Sequence, residues 1–374
     1  MKYIIPFFGV GFALLFYCAG CGSRADQKKN TEILSLKNAF KNDFYIGVAI
    51  NKEQINKSDS TVWALIAKEF NSITPENNLK WMNIHPEPDS FAFDIPDRYV
   101  ALDEKNEIYV VGHTLVWHSQ IADYMGQITD SVEMAEQLKN HINTIVNRYK
   151  GQIDAWDVVN EALNEDGSLR ESIFLKVLGK DYLGIAFDLA SKADPDAKLL
   201  YNDYNLCKPE KRSGVIRLVE DLQQKGLKID GVGMQGHWNL QEPSLEDIEN
   251  SIVAYADLGL KVSITELDIT VLPNPWDLEG AEIDQNFEGN AFMNPYSEEL
   301  PDSVQVELAK RYESIFKLFV KHKEKIERVT FWGLNDGVSW LNNWPIKGRT
   351  NYPLLFDRNH LPKKAYHSLI ELKN

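Results

Sequence analysis

The stretch "AWDVVNEAL", Ala155–Leu163, decides how the chain is read. Its body is mostly apolar and rich in β-branched residues, as a buried strand is, yet it runs into an amide and a carboxylate, Asn160 and Glu161. A second stretch, "KVSITELDIT" (Lys261–Thr270), repeats the pattern and closes on Glu266 and Asp268. Buried charge is costly without partners, so two strands that end this way need a common reason. Parallel barrels supply one, because their strands are buried along their length and carry functional side chains at their C-terminal ends.

Working outward, six more β-rich runs precede, separate or follow these two. They are Phe44–Ile50, Asn71–Asn77, Ile108–Trp117, Ala197–Asn205, Ile229–Trp238 and Arg328–Asp336. Stretches of helical period lie between, such as "SVEMAEQLKNHINTIVNRY" and "DSVQVELAKRYESIFKLFVKHK". Eight strands alternating with helices predict an α/β protein, a (β/α)8 TIM barrel forming a single catalytic domain. The rival, a doubly wound open sheet, usually carries a glycine-rich loop after its first strand. Here that strand leads into "NKEQINKSDS", which has no glycine.

The first thirty residues read differently. Lys2, the apolar run Ile4–Tyr17 and the small residues "CAGCGS" form a signal-peptide pattern over residues 1–20. "CAGC" resembles a bacterial lipoprotein box with Cys21 as the lipidated residue; ordinary cleavage near Gly20 is the alternative. Residues 21–30 are a polar tether, and residues 31–374 the barrel. The expectation is an exported chain anchored by lipid in the bacterial cell envelope, or else secreted, with no other membrane attachment.

Composition narrows the partners. Net charge is −15, from 55 acidic and 40 basic residues, which disfavours nucleic acid. Aromatic content is 11%, and there is no HExxH, GxSxG or phosphate-loop motif, nor a Cys/His cluster. No metal and no cofactor are expected, and the chain is read as a monomer. What remains at the strand ends is two carboxylates among amides, histidines and tryptophans. Sugars offer hydroxyls to such amides and C–H faces to such rings, and glycosidic hydrolysis needs a carboxyl pair.

At these residues the chain resembles the family 10 glycoside hydrolases, chiefly endo-β-1,4-xylanases. The shared pieces, in order, are "TPENNLKW", "GHTLVWHSQ", "WDVVNEAL", "YNDYN", "GVGMQGHW", "ITELDI" and "FWGLNDGVSW". The resemblance implies a retaining double displacement on xylan or xylo-oligosaccharides. It makes Glu161 the acid/base and Glu266 the nucleophile, with His237, Asp268 and Gln235 supporting the nucleophile. It makes Glu76, Asn77, Lys80, His113, Trp117, Asn160, Tyr204, Trp332 and Trp340 substrate-binding, with Tyr204 on the leaving-group side. Period two puts Gln235 and His237 on one face of the sixth strand, beside Glu266. Trp63 reads as core packing, while Trp81 stays undecided. An extended acidic loop at about 272–302 is expected to wall the cleft or to have no role. Two other functions stay open: a glycan-binding protein on a dead scaffold, and a barrel glycosidase acting on mixed-linkage glucan.

Overall fold

The computed structural model describes residues 1–6, 9, 35–103, 107–278, 280 and 283–373. The chain divides into two units, Met1–Ile33 and Leu34–Asn374. The signal-peptide core, Cys21 and the tether lie outside the described residues.

Among the described residues, nine strands build the second unit: β1 (Tyr45–Ile50), β2 (Ser72–Pro75), β3 (Tyr109–Trp117), β4 (Ala155–Asn160), β5 (Lys198–Asp203), β6 (Gly231–Met234), β7 (His237–Asn239), β8 (Lys261–Thr270) and β9 (Ile326–Phe331). All pairings between them are parallel, in the order β6-β5-β4-β3-β2-β1-β9-β8, and β6 also pairs with β8, which closes the ring. β7 continues the line of β6 and pairs with the far end of β8 through His237 opposite Asp268. The eight-position parallel barrel is therefore as expected.

Helices fill the gaps where the period of 3.6 placed them. Residues Ser131–Arg148 start on Asp130, whose carboxylate accepts from the backbone N–H groups of Val132 and Glu133. Residues Pro209–Gln224 begin on a proline, whose missing N–H costs nothing at a first turn. Packing beneath the site is close: a Cβ on Gly112 would lie 2.1 Å from the ring of the buried Trp156 on the neighbouring strand. β3 and β4 thus approach through a position only glycine can occupy.

Two boundaries differ from expectation. The eighth run was read as Arg328–Asp336, but β9 ends at Phe331 and the chain turns from Trp332 onward. The sixth run is not one strand: Gly236 has φ +87 and divides it. Only β6, before that glycine, and β7, after it, hold ladder geometry.

Candidate active site

β4 carries the first carboxyl. Glu161 follows its last residue with φ +56, a left-handed conformation that a glutamate adopts at some cost. Its N–H donates to the Asn202 carbonyl at 2.9 Å, and its own carbonyl accepts from Arg170 Nε at 2.9 Å. This turn ends the alternation of the strand, so the adjacent Asn160 and Glu161 both line the same trough. The Glu161 carboxyl accepts from Trp117 Nε1 at 2.8 Å and from Gln235 Nε2 at 2.9 Å. Burial pushes this carboxyl above the usual range. Asp203 and Glu266 add to the rise, while His118 and the Gln235 bond oppose it.

β8 carries the second. Burial alone would raise Glu266, but its hydrogen bond with His237, the fields of His113 and His237, and the Asn202 amide outweigh burial and hold it below the usual range. Asn202 Nδ2 reaches Glu266 Oε1 at 2.9 Å, and His237 Nε2 lies 3.3 Å from Oε2. The other nitrogen of His237 sits 3.0 Å from Asp268 Oδ1, and Asp268 Oδ2 accepts from Trp340 Nε1 at 2.8 Å. Although burial pulls His237 down, Asp268 and Glu266 raise it to about 10. The ring is held between two carboxylates, which favour its charged form.

The remaining wall of the trough comes from β2, β3 and the chain after β9. Lys80 donates to Asn77 Oδ1 at 2.9 Å and lies 4.9 Å from the Trp117 ring centre. Burial lowers Lys80 against the pull of Glu266, Glu76 and Glu161; burial likewise raises Glu76 against Lys80. His113 Nδ1 is 3.0 Å from Asp157 Oδ2, and its ring meets Trp332 edge-on at 5.4 Å. Trp340 stacks on Trp344 at 4.5 Å. Glu76, Asn77, Lys80, His113, Trp117, Asn160, Glu161, Gln235, His237, Glu266, Trp332 and Trp340 all line one cavity of about 180 Å3. Asp268 stands directly behind His237.

Two expectations are corrected. Gln235, expected beside Glu266, donates to Glu161 instead. The turn at Gly236 sends Gln235 and His237 to different carboxylates, where an unbroken strand would have kept them together. Tyr204, expected to face substrate, is buried and does not line the trough. Its hydroxyl accepts from Arg170 Nη2 at 2.8 Å, and Lys211 Nζ lies 3.5 Å from its ring centre. Trp63 packs against the core as expected. Trp81, left undecided, is structural: it stacks on His141 at 3.6 Å and donates to the Tyr124 hydroxyl at 3.0 Å.

Three further site residues were assigned no role from the sequence. Asn202 bridges the two halves of the trough, giving one proton to Asn160 Oδ1 at 2.8 Å and one to Glu266, while its carbonyl accepts from Thr265 at 2.6 Å. Its place in "YNDYN" at a strand end was the available signal. Asp157, which fixes His113, and Gln120, which lines the trough, gave weaker ones.

With this geometry in view, the comparison with known sequences is decisive. The family model for glycosyl hydrolase family 10 matches residues 35–372. The chain belongs to glycosyl hydrolase family 10. Among family members, endo-1,4-beta-xylanase A of Xylanibacter ruminicola is 43% identical over 90% of this chain and 93% of its own length. The endo-1,4-beta-xylanase of Geobacillus stearothermophilus is 40% identical over 91% and 99%. A solved family 10 endoxylanase from a sugarcane soil metagenome superposes with a TM-score of 0.88 at 45% identity, covering 90% of this chain and all of that one. A solved mutant in complex with xylotriose gives 0.80 at 34% identity, covering 90% and 99%.

Proposed function

We propose that this family 10 chain is an endo-β-1,4-xylanase that hydrolyses internal xylosidic bonds with retention of configuration. The observation that carries the reading is the pair Glu161 and Glu266, brought from β4 and β8 to one trough and biased in opposite directions. Glu266 is kept ionised and attacks the anomeric carbon. Glu161 keeps its proton and gives it to the departing glycosidic oxygen. Forming the glycosyl ester removes the Glu266 charge, one of the influences that raise Glu161. Glu161 is then the better base towards the water that cleaves the ester. Asn160, fixed by Asn202, has its amide N–H2 left for the sugar 2-hydroxyl.

Trp332 and Trp340 crowd the position where glucose carries a hydroxymethyl group and xylose has only hydrogen, which favours xylan over cellulose or mixed-linkage glucan. Initial rates on xylan and on mixed-linkage glucan test this directly: equal rates remove the xylan assignment. Glu266→Ala should abolish release of reducing ends from xylan, and full activity in that variant refutes the reading. Binding without turnover in the wild type would instead favour a glycan-binding role. We further propose export, with a lipid on Cys21; Cys21→Ser should move the protein from the membrane to the soluble fraction.

A further inference from the structure

Behind Glu161, on the far face of β5, lies a buried ion pair that the chemistry above does not use. Asn202 faces the trough, so the period of two turns its neighbours Tyr201 and Asp203 away from it. Lys211, in the helix Pro209–Gln224, meets them from outside. Tyr201, Asp203 and Lys211 are all fully buried. Lys211 Nζ lies 2.9 Å from Asp203 Oδ1 and 3.2 Å from Glu165 Oε1. Such a pair is a poor source of stability, because desolvating both charges offsets their attraction.

Its hydrogen bonds lead to the acid/base instead. The Tyr201 hydroxyl donates to Asp203 Oδ2 and accepts from the Ala162 N–H at 3.2 Å. That N–H belongs to the peptide group whose oxygen is the Glu161 carbonyl, held by Arg170 Nε at 2.9 Å. The peptide that follows the left-handed Glu161 is therefore gripped at both polar ends, nitrogen by Tyr201 and oxygen by Arg170. The charges set the direction of the grip. Asp203 Oδ1 takes Lys211 and the Tyr204 N–H, at 2.8 Å, and Oδ2 takes the Tyr201 proton. The lone pairs of the Tyr201 oxygen are then left for Ala162. Burial raises the Asp203 carboxyl, while Lys211, Tyr201 and Arg170 pull it back. Charged and titratable groups also act on Glu161 from other elements: Lys80 from beyond β2, His118 from beyond β3 and Glu266 from β8.

We propose that Lys211, Asp203 and Tyr201 form a positioning relay that holds the turn at Glu161 and keeps its carboxyl aimed at the departing oxygen, a role that rests on the hydrolytic reading above. Xylotetraose needs its leaving sugar protonated, whereas an aryl β-xylobioside with an acidic phenol does not. In Tyr201→Phe the ratio of kcat/KM on xylotetraose to kcat/KM on the aryl xylobioside should fall about tenfold or more, as a displaced acid would cause. This ratio does not depend on the fraction of folded enzyme, and a relay that only stabilised the fold would leave it unmoved. Asp203→Asn removes one of the charges that raise Glu161, so the alkaline limb of kcat/KM on xylotetraose should move to lower pH. An unchanged ratio in Tyr201→Phe, or an alkaline limb that stays or rises in Asp203→Asn, overturns the relay. Wild type inactive on both substrates would sink the hydrolytic reading itself, while active wild type with an unmoved ratio and limb in the variants would sink only the relay.

Discussion

At Glu161 burial is the largest influence and goes uncancelled; at Glu266 it is also the largest single influence and is outvoted by His237, His113 and Asn202. The same residue type therefore serves as proton carrier in one place and as anion in another. Activity requires Glu266 ionised and Glu161 protonated, so kcat/KM against pH should be bell-shaped, with Glu266 on the acid limb and Glu161 on the alkaline limb. His237→Asn removes the hydrogen bond and charge that offset burial at Glu266. Its carboxyl should then rise and the acid limb move to higher pH; a limb that stays in place means His237 does not set it. The sign for stability follows. A depressed carboxyl stabilises the fold above its unfolded value of ~4.3, and that contribution is lost as pH falls through the folded value. Glu161→Ala should lower kcat/KM on xylan by roughly 10²–10⁴-fold. It should lose far less on an aryl xylobioside with an acidic phenol, which leaves without a proton. Equal losses on both would deny Glu161 the acid role.

Among the elements, the break between β6 and β7 decides how the two carboxylates are served. The run Ile229–Trp238 was legible as β-rich, and its polar end as part of the site, because the apolar body and following polar residues are local signals; that it is two strands was not. The direction of each side chain was not. Period two holds only while the ladder continues, and Gly236 ends it. An isolated glycine inside a strand pattern is a known mark of such a break. Gly236→Ala would meet Ile264 at 3.0 Å from an unfavourable φ. It should cost ~1–2 kcal/mol in unfolding free energy, by chemical denaturation, and reduce kcat/KM by misplacing both Gln235 and His237. Unchanged kinetics would mean that the turn is only structural. Asn160 and Glu161 were readable for a different reason: they are where the strand stops, and the turn at Glu161 lets neighbours share one trough.

Over the whole molecule, the barrel class followed from alternation of β-rich and period-3.6 segments, which needs no long-range information. The burial of Tyr204 did not, because Lys211, Leu278, Leu341 and Trp344, which pack on it, come together only in the folded chain. All described site residues lie in the unit Leu34–Asn374. Removing residues 1–33 should therefore leave kcat/KM on a soluble aryl xylobioside within about twofold; a large loss would place part of the site in the first unit. The assignment of nucleophile is the claim on which the remaining chemistry hangs. A 2-deoxy-2-fluoro xylobioside with a good leaving group forms the glycosyl ester but hydrolyses it slowly, since fluorine destabilises the oxocarbenium-like transition state. Peptide mass mapping of the inactivated protein should find the added sugar on Glu266. A label on Glu161 or elsewhere, or no label during turnover, would contradict it.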